Sequence, residues 1–346
     1  MAFLNASAFL NTVTTQSWSI PIAILYVTVG CNLKCVMCSY REPLPGEHSL
    51  EEISDLARRL NARGLQRIVY SGGEPLLRKD FPQICRAFQR YGVQQTLLTN
   101  GLLLEKRHTE IEEFIDEYII SLDGPTAAVH DSIRGVQCFD QIANGIRKVV
   151  LSSGENRVLA RYVVQRRNYQ HVEHMVDFAK NAGFQQVSFL AVDVESDAFG
   201  KNRNGSTKSD DSVLLTTSDV VEFRRIMNLL ISSRHAGFAN GFIAQSPGQL
   251  LHIVQYFEAR AGVASFPVNR CNAPSMSAVI TSTGEVKPCF FLPAFGNIRE
   301  TPLEELLNLD SIRRTRGDVR SKRVDRCKTC VCTLRVDPLK AMLNRF

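Results

Sequence analysis

The chain has 346 residues, 44% hydrophobic and 22% charged, with a formal net charge of +6. These values suit a globular protein with room for one large α/β domain and a smaller appendage. Residues 1 to 30 carry no charge and no basic signal-peptide start, and the apolar run from Ile20 to Val29 is too short to span a bilayer, so a cytoplasmic protein without a membrane span is expected.

Residues 1–19 read as an N-terminal extension. From residue 20 to 192, β-branched runs alternate with amphipathic helical patterns, the signature of βα units and a parallel sheet. The spacing predicts strands at Ile20 to Val29, Arg67 to Ser71, Gln94 to Thr99, Glu117 to Leu122, Arg157 to Val164 and Gln186 to Ala191. Helices are predicted between them, at Leu50 to Asn61, Phe81 to Arg90, Glu105 to Asp116, Phe139 to Leu151 and Tyr169 to Asn181. Ser49 supplies a start signal for the first of these, and Gly64, Gly92 and Gly183 supply stops. Six strands are two short of a (β/α)8 barrel, so the expected fold class is α/β, a partial (β/α)6 TIM-like barrel.

Residues 193–262 read as a polar loop, Asp193 to Asp219, and a helical linker with helices at Val220 to Ser232 and Pro247 to Arg260. Residues 263–346 form a small cysteine-rich segment, in which Ala278 to Ile280 and Val286 to Phe290 flank the turn pair Thr283-Gly284 as a β-hairpin. A basic run, Arg313, Arg314, Arg316, Arg320, Lys322, Arg323, Arg326 and Lys328, contains no aromatic residue. Nucleic-acid binding is therefore not expected. A solvated face, or a site for an acidic substrate or redox partner, is.

Ten cysteines in a chain of this class argue for metal rather than a disulfide scaffold. Cys85 and Cys138 stand alone and read as buried structural thiols. Cys31, Cys35 and Cys38 form a C-x3-C-x2-C run directly after the first strand, where a βα barrel places its active site. Three thiolates on a four-iron cubane leave one iron open to a small molecule. The alternative is a zinc site, for which His48 is the nearest fourth ligand, at an atypical spacing.

Through Cys31-Asn-Leu-Lys-Cys35-Val-Met-Cys38, with Tyr40 near the usual aromatic position, the sequence resembles the radical S-adenosylmethionine (SAM) superfamily. Ser71-Gly72-Gly73-Glu74-Pro75 is similar to the GGEP motif of that family, whose backbone and Glu receive the SAM amino group. Two glycines allow close backbone approach, and a carboxylate suits an ammonium. Asn100 in Thr99-Asn100-Gly101 and the Ser121 to Pro125 segment, followed by His130 to Gly135, resemble family segments facing the cofactor. Ser121 and Asp123 alternate onto one face, where they can contact SAM, though Asp123 can equally cap a helix. Arg161 shares a face with Leu159 and Val163 and reaches into the barrel to hold a carboxylate, or else points to solvent. Asn168 can cap the next helix or touch substrate.

The resemblance implies reductive cleavage of SAM to a 5′-deoxyadenosyl radical that abstracts hydrogen from a small organic substrate. It also implies an electron donor such as flavodoxin or ferredoxin. Cys271-x12-Gly284-x4-Cys289, Gly296-Asn297-Ile298 and Cys327-x2-Cys330 resemble the family's Twitch, or abridged SPASM, extension. That implies one auxiliary 4Fe-4S cluster, with Cys332 rivalling Cys330 as the fourth ligand; a zinc ribbon is the competitor on residues alone. Oxidation, epimerisation and bond formation all remain open as the net reaction. Peptide maturation is a further reading, against which stand only about 19 residues before the first strand, too few for a recognition domain. A non-catalytic iron-sulfur or zinc interaction protein is the third.

Overall fold

The structure, a computed structural model, describes residues 6–152, 154, 156–196, 198–200, 211–332, 334–337 and 339. The chain opens with α1 (Ala6–Val13), β1 (Ile22–Thr28), α2 (Leu50–Ala62), β2 (Arg67–Gly72), α3 (Phe81–Gln89) and β3 (Gln94–Thr99). It continues through α4 (Leu104–Arg107), β4 (Glu117–Ser121), α5 (Ala127–Arg134), α6 (Phe139–Ser152), β5 (Arg157–Val164), α7 (Val172–Asn181) and β6 (Gln186–Ala191). Three helices follow: α8 (Thr217–Ser233), α9 (His235–Ala239) and α10 (Pro247–Arg260). The last part holds α11 (Ala273–Met276), β7 (Ser277–Ile280), β8 (Glu285–Lys287), β9 (Gly296–Asn297), α12 (Leu303–Leu306), α13 (Asp310–Arg320) and α14 (Asp325–Lys328).

Two compact units divide the chain: residues 1–31, 42–97 and 269–346 in the first, and 32–41 and 98–268 in the second. The cysteine-rich end falls in the same unit as β1 and β2.

In the first unit β1 is apolar up to its last residue, Thr28, and all seven of its residues are buried, as a strand covered on both faces requires. It pairs in parallel with β2 on one side and with β7 on the other, Ile22 matching both Arg67 and Ser277. β2 pairs in parallel with β3, and β8 runs antiparallel to both β7 and β9. The predicted hairpin is therefore present, and it extends the parallel sheet. Helix α2 turns Ile53, Leu56, Ala57 and Leu60 inward at helical spacing; each large aliphatic side chain so buried contributes about 1.5–3 kcal/mol. Ser49 and Glu52 close a capping box at its start.

The second unit continues the strand-helix succession, with β4, β5 and β6 paired in parallel. Two helical expectations fail here for identifiable reasons. The helix expected from Glu105 to Asp116 stops at Arg107 and gives way to a 3-10 turn at His108–Glu110. His108 is drawn fully inside, where its ring meets Ser152 Oγ and the Tyr118 hydroxyl, so side-chain burial overrides helix propensity. Tyr169–His171 likewise form a 3-10 turn before α7 begins at Val172.

Helix α5 is an element the periodicity did not reveal, being only 8 residues long and following Gly124-Pro125. Helices α8 and α10 lie where predicted, each opened by a capping box, Thr216 with Asp219 and Ser246 with Gln249. Residues 197 and 201–210 of the expected long loop lie outside the described residues. Among the described residues no helix is long and apolar enough to cross a membrane.

Candidate active site

In the first unit, the end of β2 lies hard against the end of β1. Gly73 N–H donates to Thr28 O at 2.9 Å and Glu74 N–H to Gly30 O at 2.8 Å, fixing the Gly72-Gly73-Glu74 loop beside the backbone that leads into Cys31. Gly72 has φ +118, and a Cβ there would lie 2.0 Å from Thr28 O; a Cβ on Gly73 would lie 2.1 Å from Gly30 O. Only glycines fit this approach. Glu74 is fully buried, and its Oε1 accepts from Leu76 N–H at 3.1 Å, so the carboxylate also caps the 3-10 turn at Pro75–Leu77.

In the second unit, the loop carrying Cys35 and Cys38 is held from three directions. Lys34 N–H and Val36 N–H donate to Arg134 O and Ile133 O at the end of α5, both at 3.0 Å. Ser39 N–H donates to Phe199 O at 2.8 Å, and the Cys38 thiol approaches the same oxygen at 3.6 Å. Phe199 itself has φ +61, a strained conformation for a bulky residue. Asn100, buried at the end of β3, donates through Nδ2 to Asn32 Oδ1 at 2.8 Å. Tyr40 is buried, and its ring lies 2.8 Å from where a Cβ on Gly200 would stand.

Across the strands of this unit runs a polar row. Ser121 of β4 is the register partner of Arg161 of β5, which is the partner of Ser188 of β6. Arg161 is half-buried and donates from Nε to Ser188 Oγ at 2.8 Å.

Asp123 is turned inward instead. Its side chain is completely buried, accepts from Val163 N–H at 3.1 Å through Oδ1, and pairs with Arg134 Nη2 at 2.8 Å through Oδ2. It does not cap α5, whose N-cap is Thr126. Complete burial raises the Asp123 carboxyl above the usual carboxylate range even with Arg134 beside it. Burial also opposes the Arg134 charge, yet Asp123 and the Cys35 sulfur outweigh it and hold the guanidinium above its ordinary value. Arg134 Nη1 donates to Cys35 Sγ at 3.7 Å.

Asn168 holds the N-cap position of the 3-10 turn at Tyr169–His171 but makes no side-chain cap bond there: it is fully buried and staples Asp123 O and Val163 O through Nδ2. His130, Asp131 and Cys138 lie together, but Asp131 Oδ1 already accepts from Cys138 N–H and Phe139 N–H at the start of α6. Cys138 is buried, and so is Cys85, as expected of structural thiols.

The second cysteine group lies within the first unit. Asn269 Nδ2 donates to Cys327 O at 3.1 Å and to Cys330 O at 2.8 Å, fixing the C-x2-C loop. The Cys271 sulfur accepts from Ala273 N–H, and the Cys289 sulfur faces the Phe291 and Leu292 N–H groups. Cys332 N–H donates to the Cys330 sulfur at 3.4 Å. Burial, then the Cys289 and Cys271 sulfurs, push the Cys327 thiol up to about 11, and burial raises Cys330, Cys271 and Cys289 as well. Backbone N–H groups aimed at the Cys271, Cys289 and Cys330 sulfurs fit metal-bound thiolates of an iron-sulfur cluster; the buried thiols would give up their protons only to a metal.

Not all of the basic run is a solvated face. Arg316 is 3% exposed and donates to Pro274 O, Leu307 O and Thr15 O; burial, followed by Arg313 and Arg63, pulls it down to about 10. Arg326 lies over the Phe291 ring, whereas Arg313, Arg314, Lys322, Arg323 and Lys328 remain exposed. Sequence reasoning did not single out Asn32, Arg134, Ser188, Phe199 or Asn269. The Thr126 to Gly135 bracket of cap and stop residues was the available signal for Arg134.

A cysteine triad after the first strand of a βα succession, with a glycine-glycine-glutamate turn after the second, defines an iron-sulfur protein of the partial-barrel class. Residues 25–179 match the model of the Radical SAM superfamily, and residues 271–331 match that of the SPASM iron-sulfur cluster-binding domain. The chain carries a radical SAM domain and a C-terminal SPASM-like segment. Members of that superfamily are enzymes, and these two domains bring 4Fe-4S clusters and SAM as cofactors.

Among relatives, the chain is 27% identical over 300 residues to an AdoMet-dependent heme synthase of Oleidesulfovibrio alaskensis, covering 81% of this chain and 72% of that one. It is 28% identical over 316 residues to the antilisterial bacteriocin subtilosin biosynthesis protein AlbA of Bacillus subtilis, covering 86% of this chain and 62% of AlbA. In fold it is similar to Streptococcus suis SuiB bound to its precursor peptide SuiA, with TM-score 0.62, 18% identity, and coverage of 91% and 72%. It is also similar to anSMEcpe with bound AdoMet, with TM-score 0.62, 19% identity, and coverage of 90% and 88%.

Proposed function

We propose that this protein is an enzyme that uses SAM to abstract a hydrogen atom from a small organic substrate, and that oxidation, epimerisation or bond formation follows. The observation that carries the reading is the Gly72-Gly73-Glu74 loop bonded to the backbone of Thr28 and Gly30, directly ahead of Cys31. In this reading Cys31, Cys35 and Cys38 ligate the first 4Fe-4S cluster and leave one iron open. Cys271, Cys289, Cys327 and Cys330 ligate one auxiliary cluster. Held by Cys31, Cys35 and Cys38, the cluster would supply one-electron reductive cleavage of SAM.

The chain's own residues bind and orient. Backbone at Gly72 and Gly73, with Glu74, receives the SAM amino group. Arg161, braced by Ser188 and level with Ser121, suits a carboxylate. Tyr40 and Asn100 shape the cysteine loop, and Asp123 acts on it through Arg134. A cytoplasmic location and a one-electron donor such as flavodoxin or ferredoxin accompany this chemistry. The test is anaerobic incubation of iron-replete protein with SAM and dithionite: methionine and 5′-deoxyadenosine should appear, and their absence from cluster-loaded protein sinks the reading.

Peptide maturation is the second reading, favoured by the likeness to AlbA and by the fold shared with peptide-bound SuiB. Label transfer separates the two: deuterium carried into 5′-deoxyadenosine from a labelled peptide encoded beside the gene supports maturation, and transfer from labelled metabolites supports the small substrate.

A further inference from the structure

Arg134 bonds to a cysteine sulfur of the triad, a contact in which the Gly72-Gly73-Glu74 loop takes no part. Its position is over-determined. As the last residue of α5 it receives Lys34 N–H on its own carbonyl, while Ile133 O receives Val36 N–H, so the helix end grips the backbone on both sides of Cys35. Gly135 ends the helix with φ +70, and a Cβ there would lie 2.4 Å from Lys34 O, so only glycine permits this contact. Within the same unit, the side chain divides its donors: Nη2 pairs with Asp123 at 2.8 Å and Nη1 reaches Cys35 Sγ at 3.7 Å. Asp123 is immobilised in turn by Val163 N–H, and the two side chains are 9% and 0% exposed.

A permanent positive charge, kept from water and aimed at one sulfur, stabilises whichever state of a metal-thiolate centre carries more negative charge. Reduction of an iron-sulfur cluster by one electron adds one negative charge. Hydrogen bonds and charge at the sulfurs are among the factors that set such potentials. A merely structural arginine would need only the Asp123 pair and its backbone contacts. Donation to the sulfur is an additional feature with an electronic consequence.

We propose that Arg134, oriented by Asp123, is a positioning residue that raises the reduction potential of the cluster held by Cys35. This rests on the assignment of Cys35 as a ligand in the proposed function. The experiment is an anaerobic redox titration of the reconstituted full chain, followed by electron paramagnetic resonance, using the signal that changes on SAM addition to report the first cluster. Arg134→Met should lower the ratio of reduced to oxidised cluster at a fixed ambient potential at least tenfold, equivalent to about 59 mV for one electron. Arg134→Lys, which keeps the charge, should recover most of it, and Asp123→Asn should fall between. An unchanged potential in Arg134→Met with full iron content overturns the proposal, even if its melting temperature drops. If Arg134→Met holds no iron, Arg134→Lys and Asp123→Asn decide: wild-type potentials in both overturn it, and the graded shift upholds it. Failure of the ligand assignment is separately visible, since Cys35→Ala would then keep the SAM-responsive signal.

Discussion

Gly73 lies so close to Gly30 that a Cβ added to it would stand 2.1 Å from the Gly30 carbonyl oxygen. The obstruction is backbone, which a side-chain rotation cannot relieve. Gly73→Ala must therefore push the loop away from the strand end, breaking the Gly73 N–H to Thr28 O and Glu74 N–H to Gly30 O bonds. A loss of roughly 1–3 kcal/mol of stability is expected from the overpacking. SAM affinity should fall at least tenfold, measured by calorimetry on cluster-loaded protein beside a thermal melt. An alanine variant that binds SAM normally would show that the close approach serves the fold alone.

The auxiliary cysteines give a sharper contrast. Cys332 presents its N–H to the Cys330 sulfur, the arrangement expected of a neighbour to a ligand, and Asn269 fixes the carbonyls of Cys327 and Cys330. Cys330→Ser should cut bound iron from roughly eight to roughly four atoms per chain, by loss of one four-iron cluster. Cys332→Ser, which keeps its N–H, should leave iron content unchanged. Iron analysis with Mössbauer spectroscopy reads both, and the reverse order would make Cys332 the ligand.

Much of the barrel was legible because its signals are local. Strands β3, β5 and β6 fall on their predicted residues, since β-branched runs bounded by turn residues leave little choice of register. The cysteine triad and the glycine pair were legible for a similar reason: few other residues can perform those roles. What escaped depends on partners distant in sequence. Helix α5 is too short for its periodicity to register, yet it supplies Arg134. The early end of α4 is set by the burial of His108 against Ser152, 44 residues away. Arg316 reads as one more charge in a basic run until Pro274, Leu307 and Thr15 are seen to offer it their carbonyls. The inward turn of Asp123 could not be separated from a cofactor-facing one by alternation alone.

His130 makes stability depend on pH. It is fully buried, its Nδ1 accepts from Asp123 N–H at 3.2 Å, the Phe139 ring packs at 5.6 Å, and Asp131 and Cys138 lie beside it. Burial first, and Arg134 second, hold it down to about 3. It is therefore neutral in the folded chain and takes up a proton on unfolding below its ordinary value of 6.5. The unfolded state binds more protons there, so stability falls as pH drops from 6.5 toward 3, by about 1.4 kcal/mol per unit. Denaturant melts at pH 7.5 and 5.5 should differ by roughly 1 kcal/mol from this group. His130→Asn keeps an acceptor for Asp123 N–H and should flatten that difference; an equal slope in the variant would assign it to other groups.

Arg299 tests how the segment after β9 is tied to the start of α2, within the first unit. Its Nε and Nη2 donate to Glu52 at 2.8 and 2.9 Å, and Nη1 donates to Gly46 O at 2.7 Å. Glu52 is also the Glu of the capping box, so one carboxylate serves both the helix start and the tie. The Arg299 hydrogen bonds, against the opposing effect of burial and with help from Ser49 N–H, hold Glu52 down at about 2. A folded-state carboxyl so depressed contributes stability above its ordinary value of 4.5, and the contribution is lost as pH falls toward 2. Arg299→Ala should cost about 1–2 kcal/mol at neutral pH, the half-exposed setting limiting the gain from charge. It should also return the Glu52 titration toward 4.5, followed by carboxyl-selective NMR. Arg299→Lys should recover little, because a point charge cannot reproduce the planar fork that reaches two acceptors at once. Full recovery by lysine would reduce the tie to simple charge attraction.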